Sequence, residues 1–204
     1  NTYGTGCFML MNTGEKPIYS SNGLLTTVAW RLNKKMTFAL DGGIYITGAA
    51  TQWLRDGIKI IDSAAQTEQM AYDAKSNGGV YFVPAFAGLA APHWDSYARG
   101  TMVGITGGTT REHIVRATLE STAYQVKDNL DVMNMDASMP ISILRTDGGA
   151  VANNFLMQFQ ADILGIPVDV PVIKDTTPLG AAQLAALGIG EFDSIEDLAS
   201  HWKL

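Results

Sequence analysis

Ile141-Ser142-Ile143-Leu144-Arg145-Thr146-Asp147-Gly148-Gly149-Ala150-Val151-Ala152-Asn153-Asn154 changes its period halfway along. Ile141 to Arg145 alternates as a strand does, and Val151 to Leu164 repeats its apolar residues at helical spacing. The glycines of Asp147-Gly148-Gly149-Ala150 lie between the two, so the stretch predicts a strand, a glycine turn and a helix. Glycine lets backbone come close to a ligand, and a helix N-terminus favours phosphate. Near the chain start, Tyr3-Gly4-Thr5-Gly6 precedes a second apolar run, Cys7 to Met11. Two such turns read either as ordinary tight turns or as two sides of one nucleotide site.

Working outward, Cys7–Met11, Leu24–Trp30 and Met36–Leu40 predict consecutive antiparallel strands, with turn chemistry at Asn12-Thr13-Gly14 and Ser21-Asn22-Gly23. Gly43 to Leu54 predicts a helix with Ala50, Trp53 and Leu54 on one side and Gly57 as its stop. A second helix is expected over about Thr67 to Lys75, ending at Asn77-Gly78-Gly79. Val80–Val83 and Met102–Ile105 read as short strands flanking a loop from Phe86 to Gly100, long enough to suggest function. The longest helix follows, with Thr109 and Glu112 as a capping box and Val115, Leu119, Thr122, Val126, Leu130 and Met133 on its buried face. Val168–Val170 is expected as a strand, Thr177-Pro178 as a cap opening a helix to Leu187, and Ser194 as the cap of a last helix. Strands first, then helices alternating with strands, predict an α/β architecture without the regular alternation of a Rossmann domain.

Of 204 residues, 47% are hydrophobic, enough for a sizeable core. The net charge is −6 and no basic run exceeds Lys34-Lys35, which argues against nucleic acid as a partner. No apolar run reaches the length of a membrane span, so no membrane partner is expected. Cys7 is the single cysteine, which suits the cytosol. Asn1 falls three residues before a glycine turn, so the chain is read as a piece of a longer protein.

Four motifs in order then carry a family resemblance. Asn1-Thr2-Tyr3-Gly4-Thr5-Gly6-Cys7-Phe8 resembles a phosphate loop. Val83 to Asp95 with Ala98-Arg99-Gly100 resembles a segment of the glycerol-phosphorylating branch. Gly100, Met102, Gly104-Ile105, His113-Ile114 and Ala117-Thr118-Leu119-Glu120 fit a family signature, and Asp147 to Asn154 is similar to an adenosine-side motif. Together they resemble the C-terminal, ATP-binding half of the FGGY carbohydrate kinases. The resemblance implies an actin-like, ribonuclease-H-like ATPase domain with a mixed sheet flanked by helices, and phosphoryl transfer from MgATP to glycerol in a cleft shared with an N-terminal lobe. It implies ATP or ADP contacts at Gly4, Thr5, Gly48, Gln52, Gly149 and Asn153, and places Phe8 against the glycerol carbon chain. The full-length enzyme is expected to be a homo-oligomer. Mg²⁺ is expected through the nucleotide phosphates and the N-terminal lobe, with no metal ligand in this chain. The family's catalytic base, an Asp in an Asp-Gln pair, precedes the phosphate loop, so no catalytic residue is expected here. Asp41-Gly42 stands where Glu-Gly is usual, Ala90 where Gly is, and Ser96 where Pro is.

The residues support some of these roles unaided. Gly4 and Gly6 would free backbone N–H groups for phosphate, with the Thr5 hydroxyl as a further donor. Asn153 offers both donor and acceptor, and reads as a ligand contact, a helix cap or both. Gln52 alone is a plain polar helix position, and Phe8 alone is core. Asp147 reads as an Asx-type residue ordering its turn rather than a metal ligand or base. His93, Trp94 and Asp95 read as loop packing. His113, His201 and Cys7 form no ligand pattern, so zinc is not expected. A dehydrogenase would want G-x-G-x-x-G after the first strand, which is missing.

Overall fold

The computed structural model describes residues 1–201. The elements run β1 (Thr2–Tyr3), β2 (Cys7–Gly14), β3 (Leu25–Leu32), β4 (Lys35–Ile44), α1 (Gly48–Gln52) with a π turn (Trp53–Gly57), α2 (Gln66–Asp73), β5 (Tyr81–Val83), β6 (Thr101–Val103), α3 (Arg111–Ala137), β7 (Leu144–Arg145), β8 (Asp147–Gly148), a 3₁₀ turn (Gly149–Ala152), α4 (Asn154–Leu164), β9 (Val168–Asp169), α5 (Thr176–Gly188) and α6 (Ile195–Ser200).

The main sheet has the order β3-β4-β2-β1-β8. β2, β3 and β4 form the expected antiparallel meander, and β1 turns back antiparallel to β2. β1 then pairs in parallel with β8, Thr2 opposite Asp147 and Tyr3 opposite Gly148. That pairing brings the two glycine turns, far apart in sequence, to neighbouring positions at one end of the sheet.

Strand alternation sorts the side chains of β2. Cys7 and Met9 are buried in the core with Leu40, Val126, Leu130, Met133 and Leu156, while Phe8 and Leu10 stand on the outer face. All six residues expected on the buried face of α3 are buried. Tyr3 locks the layers together: its hydroxyl donates to Gln160 Oε1 at 3.0 Å, and Gln160 Nε2 donates to the Ala123 carbonyl at 3.3 Å. Beside this core, Arg116 pairs with Glu120 at 2.7 Å, Asn77 Nδ2 donates to the other Glu120 oxygen at 2.9 Å, and the guanidinium lies over the Phe155 ring. Arg116 also donates to the Ala71 carbonyl of α2 at 3.2 Å, so this largely buried pair ties α2, α3 and α4 together.

Several boundaries differ from the sequence reading. Gly43 and Ile44 belong to β4, because they pair with Phe8 and Cys7, and the helix starts only at Gly48. Ile141–Ile143 do not pair, and the strand shrinks to Leu144–Arg145 against Val168–Asp169. The predicted helix from Val151 is first a 3₁₀ turn, with Asn153 as the true N-cap of α4. α3 is capped one residue later than expected: the Thr110 N–H donates to His113 Nδ1 at 3.1 Å, while Thr109 caps the preceding turn by accepting from the Thr106 N–H at 2.9 Å. α5 begins at Thr176 after Asp175, so Pro178 lies in its first turn but not at the first position. Ser194 caps α6 as expected, accepting from the Asp197 N–H at 3.1 Å.

Gly148 sits at φ +91°, and a Cβ there would stand 2.2 Å from the Tyr3 carbonyl oxygen. With ψ at 178° this is backbone that essentially only glycine adopts, so Gly148→Ala is expected to destabilise by about 1–3 kcal/mol through backbone strain alone. A lowered melting temperature checks this, and an unchanged one would mean that β1 and β8 are not paired as described.

Candidate functional site

Where the two glycine turns meet, a cavity of ≈ 610 Å³ opens between α1, α2, the 3₁₀ turn and the start of α4. That volume suits a ligand of nucleotide size. Gly4, Thr5, Gly48, Gln52, Gly149 and Asn153 all line it. They come from three segments of chain, gathered by the β1–β8 pairing and by the docking of α1 on the first turn. Phe8 does not line the cavity. It is 60% exposed on the outer face of β2, against Gly43, so the core reading of Phe8 fails. β2 alternation explains this: Cys7 and Met9 already occupy the inward positions.

The first turn is rigid. The Gly4 N–H donates to the Gly6 carbonyl at 2.8 Å, and the Gly48 N–H donates to the Gly4 carbonyl at 3.1 Å. The N–H groups of Thr47 and Ala49 both donate to the Thr5 carbonyl, at 3.0 and 2.9 Å. The Gly4 N–H is thus engaged within its turn and is not a free phosphate donor as the sequence suggested. The Thr5 and Gly6 N–H groups and the Thr5 hydroxyl have no partner among the described residues. Gly48 owes its identity to contact: a Cβ there would stand 2.4 Å from the Gly4 carbonyl oxygen.

The second turn is open on its cavity side. Gly149 has ordinary backbone, and a Cβ built on it meets no atom within 4 Å. Asp147 does not order its own turn. Its buried carboxylate accepts from the Thr176 hydroxyl, and the Gly148 N–H donates to the Lys174 carbonyl at 2.8 Å, so the turn is anchored to the start of α5. Asn153 caps α4 through Oδ1, which accepts from the Leu156 N–H at 2.9 Å, and its Nδ2 donates to Thr67 Oγ1 at 3.1 Å.

Sequence reasoning missed the α2 side of the cavity, where Ala64, Ala65, Thr67 and Glu68 contribute, as well as Arg55 on the π turn. Arg55 and Thr67 carried no motif; only the fold brings them to this wall. Arg55 forms a bidentate pair with its neighbour Asp56, at 2.7 and 2.8 Å, which raises the guanidinium pKa and lowers that of the carboxyl. Gln52 is exposed at the rim, one residue before Trp53, which packs on Phe82 and Phe86.

Other reactive side chains have structural partners. His93 Nε2 lies 3.1 Å from Asp128, Trp94 Nε1 donates to the Gly23 carbonyl, and Asp95 accepts from the Tyr97 and Ala98 N–H groups. The loop residues therefore pack, as expected. Burial pushes the Cys7 thiol up to about 12, so it is no nucleophile at neutral pH. Among the described residues no cluster of three or more His, Cys, Asp or Glu side chains is placed to hold a metal, and no helix is long and apolar enough to cross a membrane.

Comparison with known proteins agrees with this fold. The sequence profile described as "FGGY family of carbohydrate kinases, C-terminal domain" matches residues 1–189. Glycerol kinase 2 of Thermotoga maritima is 63% identical over 204 residues, which cover all of this chain and 41% of that protein. Glycerol kinase of Petrotoga mobilis is 61% identical over 203 residues, again 41% of its length. The chain thus spans about two-fifths of the curated relatives it matches. The crystal structure of Plasmodium falciparum glycerol kinase with ADP superposes with a TM-score of 0.89 at 42% identity, covering 98% of this chain and 40% of that one. A ligand-bound xylulose kinase from Lactobacillus acidophilus, 20% identical, shares the fold with a TM-score of 0.83 over 99% of this chain and 40% of that one. The fold is accordingly the actin-like ATPase fold. With four motifs in order, a mixed sheet that joins two glycine turns, and a matching profile over nearly its whole length, the chain belongs to the FGGY family of carbohydrate kinases and carries its C-terminal domain.

Proposed function

We propose that this chain is the nucleotide-binding half of a kinase that transfers the γ-phosphoryl group of MgATP to glycerol, giving glycerol 3-phosphate. One observation carries the reading: six residues that the family resemblance assigns to the nucleotide, in three separate segments, line a single cavity of suitable size. The identity to glycerol kinases over the whole chain supports glycerol as acceptor.

In this reading Gly149 and Asn153 hold the nucleoside, and Thr5 and Gly6 donate to its phosphates. Phosphoryl transfer depends on positioning and on neutralising phosphate charge. Free donors on a turn whose carbonyls are already engaged suit that task, because they need no rearrangement at the moment of reaction. Phe8, on the exposed outer face, would pack on the glycerol carbon chain. Among the described residues the cavity wall does not fit a Mg²⁺ site: its one carboxylate there, Glu68, is engaged by Asn154, so the ion would ride on the phosphates. The base and most glycerol contacts would lie on a second lobe. The enzyme would work in the cytoplasm as a homo-oligomer.

The test is ADP production by the full-length enzyme with glycerol, and separately with a pentulose. Turnover is expected with glycerol and the chain alone is expected to give negligible turnover, because a general base contributes roughly two to four decades. Preference for the pentulose would shift the reading to a pentulose kinase, and normal turnover by the chain alone would refute the two-lobe account.

A further inference from the structure

The orientation of the Asn153 amide is fixed by bonds that no ligand supplies. Its Oδ1 must be the acceptor for the Leu156 N–H at the start of α4. Its Nδ2 must then be the atom facing Thr67 Oγ1 at 3.1 Å. Thr67 can only accept there, because its single hydroxyl proton is donated to the Ala64 carbonyl at 2.7 Å. Thr67 is 1% exposed, so water does not compete for its hydroxyl. The neighbouring residue of each pair is held too: Glu68 accepts from the Asn154 N–H at 2.9 Å and from Asn154 Nδ2 at 3.0 Å. Two consecutive residues of α2 therefore grip two consecutive residues at the start of α4. The second proton on Asn153 Nδ2 has no partner among the described residues, and Asn153 lines the cavity.

We propose that Thr67 is a positioning residue for the nucleotide: its hydroxyl locks Asn153 so that an amide N–H, and not the amide carbonyl, is presented to an acceptor atom of the nucleoside. The acceptor is a purine ring nitrogen or a ribose oxygen. This rests on the nucleotide assignment of the cavity. It predicts discrimination by loss: an analogue without that acceptor leaves the donor unpaired.

The experiment uses the full-length enzyme that contains this chain. ADP, its deaza analogues each lacking one ring nitrogen, and its 2′- and 3′-deoxy analogues are titrated by calorimetry. One analogue is expected to bind the wild type about fivefold or more weakly than ADP, the size of one lost hydrogen bond. Thr67→Val is expected to weaken ADP by a similar factor and to bind that analogue no worse than ADP, while Thr67→Ser restores wild-type behaviour. The KM for ATP should rise in Thr67→Val with kcat and the KM for glycerol unchanged, a split that a loss of packing alone would not give. Thr67→Ala replaces Thr67→Val should the latter not fold. Wild type that binds ADP and every analogue alike overturns the inference without any variant, as does a folded Thr67→Val that discriminates like wild type. Wild type that binds no ADP at all refutes the nucleotide assignment itself.

Discussion

Thr5→Ala in the full-length enzyme is expected to lower kcat by on the order of a hundredfold while the melting temperature and ADP affinity barely change. The Thr5 hydroxyl has no partner among the described residues, and the bonds that hold its turn run through the Gly4 and Thr5 carbonyls to Thr47, Gly48 and Ala49. Removing the hydroxyl therefore costs the fold little. In the proposed reading it donates to a phosphate group whose charge changes during transfer. One preorganised donor of that kind is worth about 2–4 kcal/mol at the transition state. ADP lacks the transferred group, so its binding is a control. An early-melting variant with wild-type kcat would show that Thr5 merely shapes its turn.

Gly149→Val is expected to weaken ATP binding by a decade or more, with little change in stability or in the KM for glycerol. Most glycine substitutions in this chain would confuse the two effects. Gly48 and Gly148 would collide with backbone at 2.4 and 2.2 Å, and Gly148 also has positive φ. Gly149 has neither problem: nothing lies within 4 Å of the added Cβ, and the residue faces the cavity. A Cβ there meets open space, so a branched side chain is expected to extend into the cavity, where the proposed reading places the nucleotide. The melting temperature measured beside both KM values decides the matter. Loss of stability without loss of affinity would move the nucleotide away from this turn.

The two glycine turns and the long helix were legible because their signals are local: glycine spacing in one case, apolar period in the other. Gly43 and Ile44 misled because their small and apolar side chains fit a helix as well as a strand, and only pairing with β2 decides. Asn153 was legible as a cap, because an amide oxygen just before an apolar helical run can accept from the first free N–H groups, but its second bond, to Thr67, was not. Thr67 and Glu68 were not legible at all. They follow a Ser-Ala-Ala-Gln run without distinctive spacing, and their importance comes from a contact 86 residues away in sequence. Phe8 was ambiguous because alternation within β2 could place either parity inward until Cys7 and Met9 were found packed against the helices. The role of Asp147 was misjudged because its partner, Thr176, lies on a helix whose first residue the sequence put too late.

The nucleotide assignment is tested most directly by a crystal structure of the full-length enzyme with ADP. The base and ribose are expected between Gly149 and Gln52, with Asn153 Nδ2 within hydrogen-bond distance of a nucleoside acceptor and the phosphates directed toward Thr5 and Gly6. ADP bound outside this cavity, or bound in it with Asn153 turned away and Thr67 released, would contradict the account.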